Sequence, residues 1–214
     1  MENIELQNIW KSHDQKLEDM LAINKEIAVS VSKLKLDKQI NRLYLPKWTA
    51  LIIGIPYTAI LIVITFIAFT AEAYLVTLGF GAIALIMTTI LFAYVYQLYL
   101  IGKIKRDEGV LSTQKTLSQL RISSSKSLHR AIFQLPFWSI CWISIDGLVE
   151  NPVVYGGVNL IVFMALSYLS YWIYKKLNNV NGSSRIREFF YSGNEWDPIF
   201  KSAEILDQIK EYQK

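Results

Sequence analysis

The sequence predicts an all-α polytopic membrane protein: four transmembrane helices arranged as two hairpins, with cytoplasmic amphipathic helices at both ends. Three observations carry that expectation. From Trp48 to Ala71 the chain has no Asp, Glu, Lys, Arg or His, Glu72 interrupts, and a second uncharged run continues from Ala73 to Gly102. A hydrocarbon core about 30 Å thick needs roughly 20 apolar residues of helix, and backbone groups in lipid must be paired within the segment, so both runs are expected as helices joined near Glu72. A second pair of apolar runs lies between residues 131 and 174, separated by Asp146, Glu150 and Asn151. Finally, segments 1–47, 103–130 and 175–214 hold all 22 basic residues of the chain. By the positive-inside rule both termini and the central connector are cytoplasmic and the protein is expected to be a multi-pass membrane protein.

Composition agrees. Of 214 residues, 52% are hydrophobic, more than a typical soluble domain of this size carries. The single cysteine, Cys141, excludes an intramolecular disulfide, and His13 and His129 lie far apart, so no zinc-type ligand spacing exists. The start of the chain is charged and mixed rather than a basic stretch followed by an apolar core, so no cleavable signal peptide is expected.

In chain order, residues 1–47 mix eight basic and seven acidic side chains, which suits a solvated helix. Read in sevens, Trp10, Leu17, Asn24 and Val31 share one position and His13, Met20, Ile27 and Leu34 another. Such a seam either pairs with a second copy as a coiled coil, where Asn24 would fix the register, or folds as an amphipathic helix onto its own chain. Leu45 and Pro46 are expected to break this helix from the first span, and Lys47 and Trp48 to mark the membrane boundary. The first span contains Gly54 and Pro56. The second, from about residue 74, has Gly79, Gly81 and Ala82 where close helix approach is expected and Tyr94, Tyr96 and Tyr99 as an aromatic belt.

The basic connector, 103–130, is expected as a helical extension of the second span with Ile104, Leu111, Leu117, Leu120 and Leu128 on one face, broken at Ser123, Ser124 and Ser125. Its charge is read chiefly as a topology signal, with anionic headgroups or a phosphate as the other reading. The third span, about 131–148, contains Gln134, Pro136 and Cys141; the fourth, from Pro152 to Tyr174, carries Asn159. Gln134 and Asn159 are expected to hydrogen-bond between helices. The tail, 175–214, holds a soft stretch from Asn178, a turn at Gly193, and then Asp197 and Pro198 as a helix start. Ile199, Phe200, Ala203, Leu206 and Ile209 follow at helical spacing.

No glycine-rich phosphate loop, nucleophile elbow, paired-histidine motif or cysteine pair occurs, so no catalytic residue, cofactor, metal or direct nucleic-acid contact is expected. Several stretches together, LQNIWKSHDQKLE at 6–18, STQKTLSQL at 112–120, FQLPFW at 133–138, YLSYWIYKKLN at 168–178 and NEWDPIFKSAEILDQIKEY at 194–212, resemble a group of small four-span inner-membrane proteins of Bacteroidota. Members are often encoded beside sigma factors of the extracytoplasmic-function type, and the resemblance implies a membrane-held regulator with no catalytic residues to carry over.

The function expected first is therefore a non-enzymatic membrane-tethered regulator or scaffold. Trp10, Leu17, Met20, Ile27 and Leu34 would offer an apolar face to a cytoplasmic protein, a sigma factor among the candidates, or to a second copy through residues 10–34. The alternative is an oligomeric transport or pore-forming protein. A membrane enzyme would rest only on the outer carboxylates Glu72, Asp146 and Glu150.

Overall fold

The computed structural model describes residues 2–106, 109–178 and 196–212; the side chains of residues 2–9, 12, 14 and 106 are not described. These residues form seven helices and no strand: α1 Glu2–Thr70, α2 Tyr74–Arg106, α3 Val110–Phe133, α4 Leu135–Ile140, α5 Ile145–Glu150, α6 Pro152–Asn178 and α7 Asp197–Tyr212. Three of them, α1, α2 and α6, contain windows long and apolar enough to cross a membrane.

The 69-residue α1 spans about 100 Å at 1.5 Å per residue. It runs unbroken through both Pro46 and Pro56, which corrects the expected break at Leu45 and Pro46. A proline removes one hydrogen bond from a helix, and long packed helices absorb that loss when neighbours hold both halves. Here Leu36, Ile40 and Leu43 before Pro46 and Leu51 and Leu61 after it are all buried. With Lys47, Gly54 and Thr58, which are also buried, they recur every three or four residues and make one continuous stripe along α1.

α1 ends in a Schellman turn. Ala73 N–H donates to Ala68 O at 2.9 Å and Glu72 N–H to Phe69 O at 3.1 Å, with Glu72 in the left-handed region at φ 59°. The expected turn at Glu72 is thus present, and α2 packs back antiparallel along α1. Gly54 meets Leu91 and Gly81 meets Thr65, while Tyr44 lies by Gly102 and Lys105. Hydroxyls along this pair are satisfied within their own helix: Thr58 donates to Gly54 O at 2.7 Å, Thr65 to Leu61 O at 2.7 Å and Thr88 to Ala84 O at 2.8 Å. A threonine in an apolar environment needs such a bond to avoid the cost of a lone buried hydroxyl.

α3 begins after Gly109 and folds back along the basic end of α2. It is continuous through Ser123, Ser124 and Ser125, so the chain turns at Gly109 and the serine break does not occur. Leu117 and Leu120 are buried as expected, but Leu111 is exposed because it lies off the face that the serines continue. The expected third span is divided: α3 ends at Phe133, α4 covers Leu135–Ile140, and α5 restarts at Ile145. Pro136 causes the first division. It has no N–H for the Ile132 carbonyl, which instead accepts from Ser170 Oγ of α6 at 2.8 Å. At the second division Tyr155 of α6 supplies both partners, its hydroxyl donating to Trp142 O at 3.2 Å and accepting from Ser144 N–H at 3.0 Å.

At the basic end, α1, α2, α3 and α7 share one core. Leu36, Ile40 and Leu43 of α1 meet Leu100, Ile101 and Ile104 of α2, Leu117 and Leu120 of α3, and Ile199 and Leu206 of α7. Ile199, Leu206 and Ile209 of the C-terminal helix are therefore covered by the chain itself, while Phe200 stays exposed with the Arg121 guanidinium over its ring. Gln114 of α3 also donates to Asp207 of α7 at 3.1 Å. A second cluster, Leu61, Ile83, Ala84 and Cys141, ties the other end of the α1 and α2 pair to α4. Of the soft stretch expected from Asn178, Asn178 is the last residue of α6, and the remainder, with the turn at Gly193, lies outside the described residues.

Candidate functional site: a buried polar junction

The stripe that α1 turns towards its neighbours reads Ile40, Leu43, Lys47, Leu51: the continuous helix carries a lysine into the core. Lys47, expected at the membrane boundary as a topology residue, has 0% exposure. Its Nζ donates to Ser124 Oγ of α3 at 3.4 Å and stands 4.8 Å from the centre of the Tyr94 ring of α2. Gln97, also at 0% exposure, occupies the corresponding stripe of α2, in phase with Ile90, Ile101 and Ile104. Its Nε2 donates to Ser127 Oγ at 3.1 Å and Ser123 Oγ at 3.2 Å, and its Oε1 accepts from Ser124 Oγ at 3.3 Å.

Ser124 is the pivot. It accepts from the ammonium and donates to the amide, so a chain of bonds runs from α1 through α3 to α2. Taking an ammonium out of water costs several kcal/mol; a ring face contributes about 2 kcal/mol where water is excluded. The serines also explain why α3 sits so close. Small side chains at 123, 124 and 127 let its backbone approach α2 while leaving a hydroxyl at each position. The groups joined here are an ammonium, an amide and three hydroxyls, and none of these pairings is the hydroxyl-to-imidazole contact of nucleophilic catalysis. What the arrangement does is fix the register of three helices about a charge at the basic end of the apolar segments, where an ionisable group is a functional candidate in its own right.

The residues singled out from sequence fall elsewhere. Trp10, Leu17, Met20, Ile27 and Leu34 are all exposed on the length of α1 that extends past the core. Leu34 is 70% exposed and Leu36 only 8%, because two residues differ by about 200° around a helix. The seam and the core stripe therefore occupy nearly opposite faces of α1, and the seam does not pack on described parts of its own chain. His13 is exposed; His129 is half-buried between α3 and α6, with its ring 5.0 Å from that of Tyr174. Burial holds the His129 imidazole below its usual pKa, opposed by a hydrogen bond with the Ser125 backbone.

Glu72 and Asp146 line one cavity of about 510 Å³ with Cys141, while Glu150 is not part of its lining. Among the described residues no group of three or more Asp, Glu, His and Cys side chains is placed to hold a metal. Asn159 donates to Tyr155 O in its own helix at 2.9 Å, not to another helix as expected. Gln134 Oε1 is buried with no bond among the described residues. Sequence reasoning missed Lys47 because the assumed break at Pro46 discarded the helical phase that places it between Leu43 and Leu51, and Gln97 because its partners stand on α3, 26 to 30 positions away.

No protein-family model, no curated protein and no solved structure matches this chain.

Proposed function

We propose that the chain is a non-enzymatic membrane-tethered regulator that captures a cytoplasmic protein, or a second copy of itself, on the apolar seam of α1. The observation that carries this reading is the exposure of Trp10, Leu17, Met20, Ile27 and Leu34 on one projecting helix, while the other amphipathic helix, α7, is already covered. Large apolar side chains repeated along a solvated helix face are the anchors used in helix-to-groove and helix-to-helix recognition. The resemblance noted above makes a sigma factor the first candidate partner.

In this reading the chain crosses the inner membrane four times with both termini cytoplasmic. α1, α2 and α6 form three crossings, and the divided segment 131–148 forms the other. Two points support it: that segment runs beside α6 from Ser170 at one end to Tyr155 at the other, and the basic residues of α2 and α6 fall in their last turns while those of α1 lie before Trp48.

The test is affinity purification of the full-length protein from its native membrane, with mass spectrometry and light scattering, beside the variant Leu17→Glu, Ile27→Glu. Both positions are exposed, so the membrane portion is expected to fold unchanged. Loss of a stoichiometric partner, or of a dimer, in that variant alone supports the reading. Equal companions and equal mass for both proteins would overturn it.

A further inference from the structure

We infer that the groove between α2 and α3 is a binding site for an anionic phospholipid, with the headgroup phosphate held by Lys126 and Arg130. The groove encloses about 540 Å³ and is walled by Phe92 and Tyr96 of α2 and by Ser123, Lys126 and Arg130 of α3. Lys126 and Arg130 are four residues apart and so stand one above the other on a single helix face. Among the described residues no Asp or Glu lines the groove beside the two cations. Ser123 Oγ accepts from Gln97 Nε2 at 3.2 Å, which leaves its own hydroxyl proton to donate to a phosphate oxygen. Arginine supplies paired donors in the fork that a phosphodiester accepts, and lysine a point charge beside it.

Depth and polarity select a lipid over a soluble anion. His129, the neighbour of Arg130, meets Tyr174, one residue before Lys175 and Lys176 at the end of the apolar α6. That places Arg130 at the level where a headgroup phosphate resides in the four-crossing arrangement proposed above, on which this inference rests. α3 runs antiparallel to α2, with Leu100 and Ile104 packed on Leu117 and Leu120 and Gln97 on Ser123 and Ser127, so Arg130 stands beside Phe92 and Thr89 in the groove. Phe92 is 72% exposed, and Thr89 keeps its hydroxyl bonded to Ile86 O at 2.7 Å. That side asks nothing of water and presents an apolar wall to an acyl chain. Two cations and an apolar wall thus stand side by side, as the phosphate and the adjoining acyl chain of one phospholipid require.

Native mass spectrometry of the delipidated full-length protein, titrated with dioleoylphosphatidylglycerol or dioleoylphosphatidylcholine, tests this. One phosphatidylglycerol is expected to bind before any phosphatidylcholine. The variant Lys126→Gln, Arg130→Gln should weaken phosphatidylglycerol by about thirtyfold, from the usual contribution of two interfacial cations, while Lys126→Arg, Arg130→Lys keeps it. The control Lys175→Gln, Lys176→Gln removes two cations that do not line the groove and should weaken binding clearly less than the groove variant. Equal loss in the control would mean a diffuse basic surface and overturn the site. Displacement of the lipid by glycerol phosphate at equal concentration would assign the groove to a soluble phosphate and overturn the lipid. An unchanged phosphatidylglycerol preference in a protein whose termini prove to lie on opposite sides of the membrane would remove the four-crossing arrangement but keep the site.

Discussion

Replacing Gly79 by alanine should destabilise this protein although the same replacement ordinarily strengthens a helix. A Cβ at Gly79 would stand 2.9 Å from the Cys141 backbone nitrogen, 2.9 Å from its Sγ and 3.2 Å from its Cα. Two of those atoms belong to backbone at the end of α4, so no rotamer change relieves the clash; α4 must move away from α2. Forcing an extra methyl into a packed contact costs about 1–3 kcal/mol, and the gain in helix propensity returns about 0.5–1 kcal/mol. The net expectation is a loss of about 1–2 kcal/mol. Gly157 of α6 is the control, since its Cβ would meet nothing among the described residues within 4 Å and only the propensity gain of up to about 1 kcal/mol remains. Reversible unfolding in mixed micelles, followed by circular dichroism, reads both. Adding Cys141→Ala to Gly79→Ala removes the sulfur but not the backbone contacts and should restore less than half of the loss. If Gly79→Ala proves as stable as the parent, or both glycine variants shift in the same direction, α2 and α4 do not approach as the geometry requires and the reasoning fails.

Three further expectations concern separate parts of the fold. Gln97→Leu keeps the volume at the polar junction but leaves Ser124 without its acceptor, and should cost about 1–3 kcal/mol in the same unfolding assay; a neutral result would show the network contributes nothing to register. Glu72→Gly should stabilise by about 1 kcal/mol by relieving the left-handed position at φ 59°, whereas Glu72→Ala should not; equal behaviour of the two would locate the effect in charge rather than backbone. Because the folded pKa of His129 is lowered by burial, its contribution is complete above the unfolded value near 6.5 and is lost as pH falls towards the folded value. Hydrogen exchange at the contact of α3 with α6 should rise below about pH 6.5 in the parent and not in His129→Phe, and identical pH profiles would exclude the imidazole as the cause.

Much of the helical content was readable from residue order because it depends on local quantities. The uncharged runs around Glu72, the turn itself, and the amphipathic spacing from Ile199 to Ile209 each follow from hydropathy and period within one segment. The candidate site was not readable in the same way. Pro46 carries a real local penalty, and three successive serines carry a real local preference against helix. In both places packing against neighbouring helices outweighs a cost of a few kcal/mol at most, and the register that results carries Lys47, Gln97, Ser124 and Ser127 to one point. Pro136 behaves differently, interrupting the chain where Ser170 and Tyr155 stand ready to satisfy the freed backbone.

By itself, then, the order of residues determined that this is a helical protein with segments apolar enough for a membrane, and that its basic residues collect in three blocks. Those properties are set by transfer free energies summed along short stretches. Tertiary structure alone decided that α1 is one helix, that α7 is covered while the seam of α1 is not, and that a lysine is buried among serines. Those depend on contacts between residues far apart in the chain, 27 positions for Gln97 and Ser124, 77 for Lys47 and Ser124 and 93 for Gln114 and Asp207, and no local sum contains them.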